Sequence, residues 1–97
     1  ILGLELAIDQ GWSKIYRVNQ GGYVGLVDEA RGYHQAAPTK PVMLCLRVPD
    51  ANAWYRYLQE QGVTTLGPPK DNAELRIRAF LFHDPEGYVL EIQEALA

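Results

Sequence analysis

Glu91 is a candidate for chemistry because its carboxylate stands among the apolar residues Val89, Leu90 and Ile92 of the strand Tyr88-Val89-Leu90-Glu91-Ile92-Gln93. Side chains alternate along an extended strand. If Leu90 and Ile92 pack beneath a helix, then Val89, Glu91 and Gln93 share the opposite face. A carboxylate on an apolar wall is a candidate general base, since loss of water disfavours its charged form and raises its pKa. The plainer reading pairs Glu91 with Arg47, Arg76 or Arg78. The same alternation in Val42–Val48 sets Met43, Cys45 and Arg47 on one face and Leu44, Leu46 and Val48 on the other. Cys45 is the sole cysteine, which excludes an internal disulfide and a cysteine-cluster metal site. It reads as a small buried hydrophobe, because a reactive thiol needs positive charge nearby and only Arg47 is close in sequence.

Arg76, Arg78, Phe80 and Phe82 also alternate onto one face. That pattern has two readings. Turned toward a ligand, the face offers aromatic walls and cationic ends suited to a planar or anionic small molecule. Turned the other way, the arginines are solvated and the phenylalanines are core. His34 and His83 are the only histidines. His34 lies in a linker and His83 in a turn, and both read as exposed loop residues before they read as ligands.

These groups need elements to hold them. Ile1–Ile8 reads as the end of a helix running into a strand, with Gly3 as the break. Lys14–Val18 and Tyr23–Asp28 read as paired strands around the turn Asn19-Gln20-Gly21-Gly22. Glu29–Pro41 reads as a loop joining two halves. Val42–Val48 reads as a strand ended by Pro49. Asp50 is suited to cap a helix in which Ala53, Trp54, Tyr57, Leu58 and Gln61 recur at helical spacing, with Gly62 just past its end. Trp54, Tyr57 and Leu58 are expected to pack that helix on a sheet. Leu75–Phe82 and Tyr88–Gln93 read as the last two strands, joined by His83-Asp84-Pro85-Glu86-Gly87.

The 97 residues suit one domain, with a core of ordinary proportions at 47% hydrophobic and 22% charged residues. A net charge of −3 with no basic stripe argues against nucleic acid. Apolar runs are too short for a membrane span, and no charged leader precedes an apolar block, so a cytoplasmic protein is expected.

The two hairpins look like copies. Lys14–Glu29 aligns without gaps on Ala79–Glu94, with Gly22 and Gly87 65 positions apart and Gly, Tyr, Val and Glu identical at Gly22/Gly87, Tyr23/Tyr88, Val24/Val89 and Glu29/Glu94. Duplication predicts strand, helix and then antiparallel strands in each half. Residues 42–97 supply the full set, whereas residues 1–35 lack the leading strand and most of the helix. The repeat therefore predicts a further strand and helix ahead of Ile1, about 20–25 residues at typical element lengths.

Val48-Pro49-Asp50, the aromatic-rich helix ending in Gly62-Val63, and Phe80-Leu81-Phe82-His83-Asp84-Pro85-Glu86-Gly87-Tyr88-Val89-Leu90-Glu91-Ile92 together resemble the vicinal oxygen chelate superfamily of glyoxalases, bleomycin-resistance proteins and extradiol dioxygenases. The resemblance implies an α+β fold in which paired βαβββ modules form a curved mixed sheet with outer helices and a ligand in the concave cavity. Here the first module is incomplete at its N-terminus. It implies a homodimer, and alternation and the repeat then give cavity positions at Leu26, Met43, Arg47 and Val89, joined by Arg78 and Phe80 if their face is turned to the ligand. Enzymes of the family hold a divalent metal such as Zn, Ni, Mn or Fe, a Lewis acid that stabilises an oxyanion. Glu91 falls on the last-strand ligand position and is the candidate metal ligand and catalytic residue. Met43 and Leu26 stand where other ligands are expected, and neither suits such an ion.

Three functions are consistent with this reading. The first is a protein that binds a small organic molecule in the sheet cavity without a complete metal site. The second is a metal-dependent lyase or isomerase resembling glyoxalase I. The third is an assembly module whose missing strand comes from a partner.

Overall fold

Alternating apolar and polar residues build two separate β-sheets in the computed structural model, which describes residues 1–97. The chain divides into two units, Ile1–Ala37 and Pro38–Ala97.

The first unit is a three-stranded antiparallel sheet in the order β1-β2-β3, with β1 at Glu5–Asp9, β2 at Ser13–Asn19 and β3 at Gly22–Val27. No helical turn precedes β1, contrary to expectation; Gly3 has a φ of 71°, and the strand begins two residues later. Asp9 and Lys14 face each other across β1 and β2 at 3.9 Å, and Glu5 and Arg17 at 3.7 Å. Both pairs are exposed and fix register more than they add stability, at about 0–1 kcal/mol each. The β2–β3 turn places Gly21 at a φ of 82°. A Cβ on Gly22 would meet the end of the Asn19 side chain, which would have to turn aside to admit it. Arg17 stacks over Tyr23 and Arg31 over Trp12.

The second unit holds β4 at Met43–Arg47, α1 at Ala51–Glu60, β5 at Lys70–Asn72, β6 at Ile77–His83 and β7 at Val89–Ala95. Its sheet runs β4-β7-β6-β5, with β4 parallel to β7 and the other pairs antiparallel. The first unit repeats the three antiparallel strands of the second but has neither the parallel strand nor the helix.

Helix α1 starts where expected. Asp50 is extended and its Oδ1 accepts from the Ala53 amide at 3.0 Å. A second partner comes from the sheet, where Glu94 Oε1 accepts from the Ala51 amide at 2.9 Å. Two of the amides that a helix start leaves without intrahelical partners are thus satisfied, and both acceptors are carboxylates at the positive end of the helix dipole. The helix ends in a Schellman motif: Gly62 N–H donates to Gln59 and Val63 N–H to Leu58, with Gly62 at a φ of 79°.

The core lies between α1 and one face of the sheet, where Ala51, Leu58, Phe80, Phe82, Leu90 and Ile92 are buried. Tyr55 meets Phe80 edge-on at 5.4 Å, and Phe80 stacks with Phe82 at 6.1 Å. Leu58 packs as expected, but Tyr55 takes the role foreseen for Tyr57. Ala51, Tyr55 and Leu58 follow the four-then-three spacing of one helix stripe, whereas Tyr57 is a partly exposed neighbour of Trp54 beside that stripe.

Two further differences concern the strands. Lys70–Asn72 pairs with Ile77–Ala79 as a short edge strand that its polar sequence does not announce. The turn between them places Arg76 at a φ of 55°, so β6 begins at Ile77 rather than Leu75. The gapless repeat also breaks. Ile15 pairs with Gly25, whose positions 65 residues on are Phe80 and Leu90; yet Phe80 pairs with Ile92. The second hairpin is two residues longer. A shift of two keeps every side chain on its own face, so the facing pattern survives the slip.

Candidate functional site

With Phe80, Phe82, Leu90 and Ile92 under α1, alternation leaves the other face of the second sheet to Met43, Cys45 and Arg47 on β4, Val89, Glu91 and Gln93 on β7, and Ala79, Leu81 and His83 on β6. Register sets these in rows: Met43 beside Val89 and His83, Cys45 beside Glu91 and Leu81, Arg47 beside Gln93 and Ala79.

The polar members form a directed chain. The Cys45 thiol donates to Glu91 Oε1 at 3.0 Å, and Gln93 Nε2 donates to the same oxygen at 2.8 Å. Arg47 Nε donates to Gln93 Oε1 at 2.8 Å, and Arg47 Nη2 reaches the same atom. Arg47 thereby fixes which end of the Gln93 amide faces Glu91. Glu91 Oε2 accepts from no donor in this chain of bonds, and the ion pairs of the protein include neither Glu91 nor Arg47.

Cys45 is exposed, not buried as its apolar run suggests, because its side of β4 is the face away from α1. Partial desolvation, the Glu91 hydrogen bond and the Glu91 charge push its thiol up to about 11, and the Arg47 charge only partly opposes them. At neutral pH Cys45 is a hydrogen-bond donor rather than a nucleophile.

Glu91, Met43, Arg47 and Val89 are brought together as the alternation implies. Arg78 and Phe80 are not. Phe80 is buried beneath α1, and Arg78 shares that side of the sheet, paired with Glu94 and bridged to Asp71 at 2.7 Å. Of the two readings of the Arg/Phe alternation, the core reading holds for Phe80 and Phe82, and the sheet separates them from Glu91. Leu26 lies on β3 of the first unit opposite Lys14, and is 59% exposed. His34 is in the loop after β3, edge-on to Tyr33. His83 closes β6 rather than lying in the turn, and so joins the Met43–Val89 row. Alternation places Gln93 on this face but gives it no role. Its importance comes from the neighbouring strand, which a single strand's pattern does not show.

The family resemblance implies a divalent metal, and the donors on this sheet do not fit one. The thiol and the amide both turn hydrogens toward Glu91, Met43 offers only a thioether, His83 stands in the next row beside Val89, and no three His, Cys, Asp or Glu side chains gather anywhere in the protein. No helix is long and apolar enough to cross a membrane.

The family model described as Glyoxalase/Bleomycin resistance protein/Dioxygenase superfamily matches residues 1–92. Solved structures share the fold. A glyoxalase/bleomycin resistance protein/dioxygenase from Nocardioides has a TM-score of 0.77 at 19% identity, covering 98% of this chain and 69% of its own. An integron cassette protein from the mobile metagenome of the Halifax Harbour sewage outfall has a TM-score of 0.73 at 26% identity, covering 99% and 80%. A lactoylglutathione lyase from Agrobacterium tumefaciens has a TM-score of 0.74 at 15% identity, covering 95% and 75%. No curated protein matches the chain in sequence.

Proposed function

This chain belongs to the glyoxalase/bleomycin resistance protein/dioxygenase superfamily, and from that premise we propose that it binds a small organic molecule against the open face of the β4–β7–β6 sheet, without a complete metal site of its own. The observation that carries this reading is the contrast between the two faces. One is closed by α1 over Phe80, Phe82, Leu90 and Ile92; the other presents Met43, Val89 and Leu81 beside the bonded set Cys45, Glu91, Gln93 and Arg47. Ligand sites commonly combine an apolar wall with a few fixed polar groups in this way.

A second reading is a divalent-metal-dependent lyase or isomerase. Glu91 Oε2, to which neither Cys45 nor Gln93 donates, and the fold shared with a lactoylglutathione lyase favour it. Metal content separates the two. The protein is incubated with Zn, Ni, Mn or Fe, desalted and assayed for bound metal beside Glu91→Gln. Binding of a small molecule with no retained metal in either protein supports the first reading. Near-stoichiometric metal that disappears in Glu91→Gln overturns it in favour of the second.

A further inference from the structure

Resting on the proposal that the open face of the second sheet is a binding surface, we infer that its ligand is dipolar: a small molecule carrying a hydrogen-bond donor or cationic group at one end and an anionic group at the other. The inference comes from two charges on one wall that do not neutralise each other. Arg47 spends Nε and Nη2 on the neutral oxygen of Gln93, and Glu91 receives hydrogens from the neutral Cys45 thiol and Gln93 amide. Gln93 stands between the two ions as a spacer, bonded to both, so they are linked without forming an ion pair.

Each ion keeps capacity for a ligand. Both protein donors converge on Glu91 Oε1, which leaves Oε2 as an acceptor. Arg47 is exposed, and its remaining guanidinium hydrogens suit a carboxylate or phosphate oxygen. The second residue of a strand lies about 6–7 Å from the first, and Arg47 sits level with Gln93, two positions beyond Glu91. A ligand that meets both ions therefore needs its donor and its anionic group separated by a comparable span. The apolar side chains Met43 and Val89 lie one row beyond Glu91 from Arg47, and Leu81 lies level with Glu91 on β6; they suit any hydrocarbon body that the ligand carries. An anion alone would meet only Arg47, next to a carboxylate that repels it. A cation alone would meet only Glu91, next to the guanidinium.

Three probes of equal carbon length test this: δ-aminovalerate, valerate and pentylamine, each titrated into the protein while amide shifts of 43–47 and 89–93 and the Gln93 side-chain amide are followed by NMR. The expected result is that δ-aminovalerate binds at least about tenfold more tightly than either single-ended probe, equivalent to about 1.4 kcal/mol. Arg47→Gln should reduce it to the affinity of pentylamine, and Glu91→Gln to that of valerate. Equal binding of the three probes on this face, or a preference for one single-ended probe, overturns the dipolar assignment while leaving the face as a binding surface. Shifts that avoid this face for all three, or no shifts at all, overturn both the assignment and the reading on which it rests.

Discussion

The Cys45 thiol donates to Glu91 Oε1 across the parallel β4–β7 pair at 3.0 Å, so the only cysteine is tied to the candidate catalytic carboxylate. The bond requires a protonated sulfur, and the nearby carboxylate opposes its loss of that proton.

This gives a prediction about reactivity. Iodoacetamide should modify Cys45 slowly near neutral pH despite its exposure, with a rate that rises through about 11 rather than through the ordinary thiol range. Glu91→Gln removes the charge and weakens the acceptor, so the pH–rate curve should move down. It should not return fully to the ordinary value, because desolvation, the largest cause of the shift, remains. Linkage has a matching sign. The folded state holds the thiol proton more tightly than the unfolded state, so this group's contribution to stability falls as pH rises from the ordinary thiol value through about 11. An alkylation profile centred at the ordinary value in the unmodified protein would contradict the bond.

The two faces of the second sheet should respond differently to truncation. Leu58 is fully buried and Phe80 nearly so. Leu58→Ala should cost about 2–5 kcal/mol and Phe80→Ala about 3–5 kcal/mol. Met43 is 51% exposed on the open face, and Met43→Ala should stay within about 0.5 kcal/mol. Urea midpoints for the three variants check this, and a Met43→Ala loss as large as that of Leu58→Ala would show that the open face is core.

The second unit was the more legible in sequence because its signals agree with one another. Asp50 and Gly62 bracket α1, and Leu90 and Ile92 alternate against Glu91 with no ambiguity of period. Arg78 and Phe80 were not decidable, because alternation says which residues share a face but not which face the helix covers. Only the burial of Phe80 and Phe82 under α1 resolves that. The exposure of Cys45 is hidden for a related reason: in an apolar run both faces look alike, and its neighbour Glu91 lies 46 residues away in sequence. The short strand β5 was invisible because Lys70, Asp71 and Asn72 have low strand propensity and are held by pairing with β6. The repeat was legible in its residues but not in its register, since two extra hairpin residues change pairing without changing the facing pattern.

The start of α1 joins helix to sheet through Glu94, and this contact should be measurable apart from the ordinary cap. Asp50→Ala removes one side-chain acceptor and should cost about 0.5–2 kcal/mol. Glu94→Ala removes the acceptor of the part-buried Ala51 amide and should cost about 1–3 kcal/mol. Because the two acceptors serve different amides of one helical turn, the double variant should depart from additivity. Chemical denaturation of the two single variants and the double variant supplies the cycle, and strict additivity would show that the two acceptors act independently.

Arg78 provides the control that separates the faces in function. It is bridged to Asp71 through Nε and Nη2, at 2.7 and 3.2 Å, on the side of the sheet away from Glu91. The guanidinium lowers the Asp71 pKa, so the pair is intact above the ordinary carboxylate range and is lost as pH falls through the lowered value. Arg78→Met should abolish that acid dependence, seen as the Asp71 carboxyl resonance titrating at a higher pH by NMR. It should leave the binding of δ-aminovalerate on the open face within about twofold, since the energetic effects of well-separated side chains are usually independent. Arg47→Gln should do the reverse, weakening the ligand and leaving the Asp71 titration in place. A large loss of ligand binding in Arg78→Met would place the ligand on the helix side of the sheet, where the Phe80 ring already fills the space beneath Tyr55.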